Sequence, residues 1–182
     1  MKKLFFIIFI IPFSAVRGQT KNVENNITGV QVGLFGIDLY DEFRLSEKTT
    51  LRAEASLFPA IWGGEIYTKT GFAFYPALTL EPRFYYNLSR RFEKEKRTEN
   101  NSANYFSLQF RYIPDWFVIS NSTDLNPANQ IQFIPTFGIR RTFGKNFNYE
   151  FNVGFGYGTT VGYENNISSG ILDLGMKIGY DF

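Results

Sequence analysis

One set of ionisable residues recurs on a single parity of the chain's alternating segments: Glu42, Arg44, Arg52, Glu54, Glu81, Arg83, Arg111, Arg140, Glu150, Asp173 and Lys177. Carboxylates and guanidiniums collected on one face have two uses. Left wet and spaced, they form an ion pathway or poise a carboxylate for acid–base work. Paired, they fill a narrow interior, because buried charges must find partners or water. The rest of the composition bears on that choice. The sequence has 182 residues, with no His and no Cys. The commonest general base, the commonest metal ligand, thiolate nucleophiles and disulfides are therefore absent. A catalytic reading would need an unfamiliar Asp, Tyr, Lys or Ser arrangement, with Glu54, Glu81 and Glu150 as candidates by position alone. We expect no enzyme, no cofactor and no metal. A formal charge of +2 supplies no field for nucleic acid.

The elements that must position these residues are strands. In the segment ending the sequence, Leu172, Leu174, Met176, Ile178, Tyr180 and Phe182 share one parity. Asp173, Gly175, Lys177, Gly179 and Asp181 share the other. Period-two alternation is a strand with one apolar and one polar face. The same pattern places Leu51–Leu57 against Arg52 and Glu54, and Leu78–Tyr86 against Glu81 and Arg83. It recurs at 106–112, 131–140 and 149–157. Between Gly29 and Leu45 the phase slips near Gly33–Gly36. Either a bulge shifts the register there or a tight reversal makes two strands. Segments 46–49 and 143–146 read as turns, 58–70, 118–129 and 159–168 as loops, and 88–102 as a charged connector. The count is seven strands, or eight if 29–45 folds back, and membrane barrels favour the even number.

Alternation alone does not say which face points out. Two features favour apolar out. Gly138, Gly154, Gly156, Gly175 and Gly179 lie on the polar face, where they would make room for long Arg, Lys and Glu inside an eight-stranded barrel. The apolar face draws on 21 Phe and 11 Tyr, bulk that would overfill so narrow a lumen. Aromatics also gather at strand ends, as at membrane interfaces. Phe84, Tyr86, Tyr105, Phe106, Phe143, Phe147, Tyr180 and Phe182 fall near one set of turns, and Trp62, Phe74, Trp116, Phe117 and Tyr157 near the other. Against the scheme, Pro82 and Pro135 fall inside strands, where each removes a ladder hydrogen bond. They are expected at bulges or at ends of shorter strands.

The first residues read as a targeting segment. Lys2 and Lys3 precede an apolar run, Leu4–Phe13, and then the small residues Ser14, Ala15 and Gly18. This is the order of a secretory signal peptide, too short to span a bilayer as a helix. We expect a signal peptide at 1–18, a flexible leader at 19–28, and a closed antiparallel up-and-down transmembrane β-barrel at 29–182.

With the signal peptide, the alternating segments and the terminal Gly-Tyr-Asp-Phe together, the chain resembles small outer-membrane barrels of the OmpX and OmpA-transmembrane-domain type. The resemblance is architectural. It implies residence in the cell outer membrane among lipid and lipopolysaccharide, and an assembly signal at Tyr180 and Phe182 read by the barrel assembly machinery. It also implies that 46–49, 88–102 and 143–146 face the periplasm. The expected function is non-enzymatic: a monomeric barrel with a filled polar lumen that supports the envelope or presents loops for adhesion. The alternatives are a narrow pore or transport barrel, and a histidine-free lipid-modifying enzyme. The basic residues of 88–102 would either sit in solvent or contact an anionic envelope component.

Overall fold

The computed structural model describes residues 21–34, 36–62, 70–122, 128–162 and 166–182. The expected signal peptide lies outside the described residues, as do the Trp62 side chain and parts of all three expected loops. In chain order the elements are β1 (Asn26–Gly33), β2 (Gly36–Arg44), β3 (Thr49–Trp62), β4 (Gly71–Phe84), α1 (Leu88–Glu93), a 3-10 turn (Glu99–Asn101), β5 (Asn104–Ile113), β6 (Ile119–Ser120), β7 (Gln130–Phe143), β8 (Phe147–Thr160) and β9 (Ser168–Asp181). Neighbours pair antiparallel around the sheet, and β9 returns to β1 with Tyr180 opposite Val30. The two-residue β6 adds only to Ala73 and Phe74 of β4. The other eight strands close into the expected barrel, which leaves no long edge unpaired at its waist.

The faces sort as the alternation requires. Phe110, Phe151 and Leu174 point outward, at 46%, 41% and 50% exposure, while Arg83 is 2% exposed inside. The phase slip is a tight reversal. Gly33 pairs with Gly36, so Val32 and Ile37 face each other on the outside despite their opposite parity. Gly36 has a φ of 126°, a conformation that side chains resist.

The prolines depart from expectation. Pro82 and Pro135 lie in strand interiors, without bulges. Pro82 pairs with Leu51 on one side. On the other side the ladder to β5 runs from Leu80–Phe110 to Arg83–Ser107 in unchanged register. Pro135 pairs with Leu108, and its ladder to β8 runs from Phe133–Tyr157 to Thr136–Gly154. A missing N–H affects one neighbouring strand only, so the ladder opens locally while flanking pairs hold the register.

Three expected boundaries move. The segment expected as loop from residue 58 continues β3 through Pro59 to Trp62, and β4 starts at Gly71, well before Leu78. The expected leader at 19–28 is partly ordered wall: β1 begins at Asn26, and Val23 is buried. The charged connector folds inward. Leu88, Thr98, Asn100, Asn101, Ser102 and Ala103 are all buried. Val23, Leu88 and Ala103 join Tyr85 and Tyr105 in a small apolar core that caps this end of the barrel. Tyr105, expected in an aromatic belt, therefore points inward. Its parity with Ser107, Gln109 and Arg111 is the physical reason.

Candidate functional site

Inward-facing positions from every wall converge on one ionic network. At its centre is Glu150 of β8. Arg83 of β4 donates to it at 2.8 Å and to Glu81 at 2.6 Å. Arg140 of β7 donates to it at 3.2 Å, the Tyr105 hydroxyl at 2.7 Å, and Arg52 of β3 stands 3.9 Å away. Two guanidiniums also stack on rings: Arg52 lies 3.6 Å over the Tyr40 centroid and Arg83 4.3 Å over that of Tyr105. Stacking of this kind suits a desolvated guanidinium.

Toward the long loops the network continues through a second tier. Lys177 of β9 reaches Asp38 at 2.7 Å and Glu54 at 3.4 Å. Arg52 pairs with Glu54 at 2.7 Å, and Arg111 with Asp173 at 3.1 Å. Gln109 and Asn152 also donate to Asp173. The space left between the tiers is a polar cavity of about 30 Å³, lined in part by Asp38, Thr79, Arg111 and Lys177. That is room for about one water molecule.

The opposite end is sealed by the connector. Asn100 and Asn101 adopt left-handed φ values of 50° and 58°, tolerated best by Gly and Asn. This curl aims both side-chain amides into the lumen. Asn101 donates to Glu42 at 2.7 Å and Asn100 to Asp181 at 2.9 Å. Glu42 also accepts from Thr50 and Tyr85, each at 2.9 Å. Burial beside Glu42 pushes the Tyr85 hydroxyl well above its usual pKa, so it stays a donor. Asp181 accepts from Arg140 at 2.8 Å, from Asn148 at 2.9 Å and from the Tyr40 hydroxyl.

Ten of the eleven residues singled out in sequence are thus brought together. The exception is Arg44, which is exposed at the rim and donates to the Val23 carbonyl. Sequence reading missed Asp38 and Asp181 as ion partners, and Gln31, Tyr40, Tyr85, Asn148 and the connector asparagines as donors. For Asp38, Tyr40, Asn148 and Asp181 the signal was present, since each shares the lumen parity of a residue already chosen on its own strand, whereas β1, which holds Gln31, carries none of the eleven. The glycines make room for different side chains than expected. A Cβ on Gly138 would run into the Tyr105 ring, and one on Gly175 into the Asn152 amide.

Tyr180 and Phe182 lie outside, in a run of rings. Phe143 meets Phe147 at 5.6 Å, Phe147 meets Tyr180 at 5.2 Å, and Tyr180 meets Phe182 at 5.7 Å between centroids. Tyr86, Phe106 and Phe137 extend this girdle on the next strands. At the other end Trp116, Phe117 and Tyr157 are exposed.

Chemically, the network holds charge in place. Each central carboxylate already accepts from two or more fixed donors, which leaves it a poor base. Fold and site together define a class: a closed eight-stranded antiparallel barrel with an apolar exterior and an ion-paired interior. No family model, no curated protein and no solved structure matches the chain.

Proposed function

We propose that this chain is a non-enzymatic integral outer-membrane barrel, akin to the OmpX and OmpA-transmembrane-domain type, whose lumen is a structural plug. Its role is then exerted from its ends: support of the envelope, or binding by the loops beyond β3, β5 and β8. The observation that carries the reading is the inversion of the molecule. Phe155, Leu172, Ile178 and Phe106 are between 54% and 71% exposed, while Arg52, Arg140 and Glu150 are at most 1% exposed. Water would penalise that arrangement, at roughly 25 cal/mol for each Å² of exposed apolar surface. Hydrocarbon removes the penalty, and a closed ladder meets its demand for satisfied backbone.

In this reading the connector end faces the periplasm, the assembly machinery acts on the strand ending at Tyr180 and Phe182, and lipid and lipopolysaccharide surround the wall. The filled lumen favours this over the pore. The test is migration of membrane-extracted protein on gels with and without boiling, combined with planar-bilayer recording. We expect a heat-sensitive compact band and no steps above leak. A protein that stays soluble after fractionation would overturn the membrane reading, and unitary conductance would return the pore.

A further inference from the structure

The outward face of the strands is almost free of charge. Among the described outward strand positions, the charged ones are Asp41 of β2 and Arg141 of β7. Asp41 is held by Asn26 at 2.6 Å and Thr28 at 3.2 Å. Arg141 is different. It is half-buried and sits directly opposite Tyr149 of β8. It donates to the Arg140 carbonyl at 2.7 Å and to the Asn104 side chain at 2.6 Å, and Asn104 in turn donates to the Tyr86 hydroxyl at 3.0 Å. These acceptors are neutral.

A second guanidinium is brought to the same place by the connector. Arg91 of α1, also half-buried, donates to the Arg97 carbonyl at 2.9 and 3.3 Å. Arg97 in turn donates to the carbonyl of Thr142, the residue after Arg141, at 3.4 Å, which ties Arg91 and its connector to this stretch of β7. Ion pairs among the described residues engage Arg52, Arg83, Arg97, Arg111, Arg140 and Lys177, so neither Arg91 nor Arg141 is in one. Arg97 shows the contrast: it pairs with Glu99 at 3.2 Å. Two like charges held together by neutral anchors keep several N–H donors for an anion. Each guanidinium fork matches a phosphate.

The pair also lies at a particular depth. Tyr149 contacts Phe143 and Phe151, and Tyr86 contacts Phe106. The arginines therefore sit within the aromatic girdle, the level at which lipid headgroups lie.

We propose that Arg91 and Arg141, flanked by Tyr86, Tyr149 and Asn104, form a binding site for the phosphodiester headgroup of an anionic glycerophospholipid in the leaflet around the connector end. The site would select lipid by charge and tie the connector's position to the bilayer. This rests on the membrane reading above.

The experiment refolds the protein into vesicles of pure phosphatidylcholine, and of phosphatidylcholine mixed with phosphatidylglycerol. Heat-sensitive gel migration in the pure lipid scores insertion, and native mass spectrometry from the mixture scores retained lipid. Failure to insert into the pure lipid sinks the membrane reading itself. Given insertion, the wild type should retain phosphatidylglycerol over phosphatidylcholine by about thirtyfold, the scale set by two basic groups at a charged surface. The R91Q/R141Q variant should insert equally and lose that preference, and K94Q/K96Q should keep it. Equal retention of both lipids by the wild type overturns the site. So does a loss in K94Q/K96Q as large as in R91Q/R141Q, which would make it diffuse surface charge. In neutral lipid, inorganic phosphate that perturbs Arg91 and Arg141 while phosphatidylglycerol is not selected would reassign the site to free phosphate and overturn the lipid proposal.

Discussion

Arg140 of β7 donates to both carboxylate oxygens of Asp181 on β9, at 2.8 and 3.0 Å, spanning the intervening strand β8. The pair is fully buried, and Arg140 also binds the Asn100 carbonyl of the connector at 2.9 Å. One guanidinium thus ties the wall to the plug. Arg140→Met should leave Asp181 and Glu150 short of a cation in a dry interior and cost about 3–5 kcal/mol. Urea unfolding in micelles measures it. In a double-mutant cycle with Asp181→Asn the two losses should be strongly non-additive.

Lys177, whose side chain is 21% exposed, should matter less. Lys177→Met removes contacts to Asp38 and Glu54, but Glu54 keeps Arg52 at 2.7 Å. We expect a loss of about 1–3 kcal/mol, below that of Arg83→Met, because the partly exposed ammonium is solvated better than a guanidinium at 2% exposure. Equal losses at the two positions would contradict the tiered account.

The connector is predicted to be a fixed plug. Asn101 combines a left-handed backbone with amide bonds to Glu42 and from the Glu24 N–H, both 2.7 Å. Asn101→Ala should cost about 2–4 kcal/mol, from backbone strain and a lost charge-assisted bond. Asn101→Gly, which relieves the strain only, should cost about 1 kcal/mol less. Hydrogen exchange across residues 98–103 should rise in both variants while the strands stay protected.

Much of the fold was legible because period-two patterning is a direct consequence of a wall with unlike sides. Leu172–Phe182 and Tyr149–Tyr157 needed nothing more. The slip at Gly33–Gly36 was visible as a change of parity, and only geometry decided that it was a reversal. A strand proline costs one ladder bond, and the register around Pro82 and Pro135 is set by many others. The plug was not legible. Residues 88–102 carry the composition of a solvated turn, and Asn100 and Asn101 become lumen residues only because their left-handed backbone turns them inward. Tyr105 has the aromatic character of a belt residue but the parity of the lumen, and parity decides its direction.

Packing against glycine gives another test. The Tyr105 ring covers Gly138, its partner in register on β7, while its hydroxyl reaches Glu150. Gly138→Ala should destabilise by about 1–3 kcal/mol through overpacking. Adding Tyr105→Ala should remove that increment, although the double variant remains weaker than wild type through the lost Glu150 bond.

The account turns on which way the faces point in a bilayer, and spin labels at single cysteines along β8 read that directly. The chain has no native Cys to remove. In vesicles, labels at Phe151, Val153 and Phe155 should collide with dissolved oxygen and be shielded from a water-soluble nickel chelate. Nickel accessibility at Phe151 and Val153, equal to that of an exposed site such as Lys145, would contradict the account.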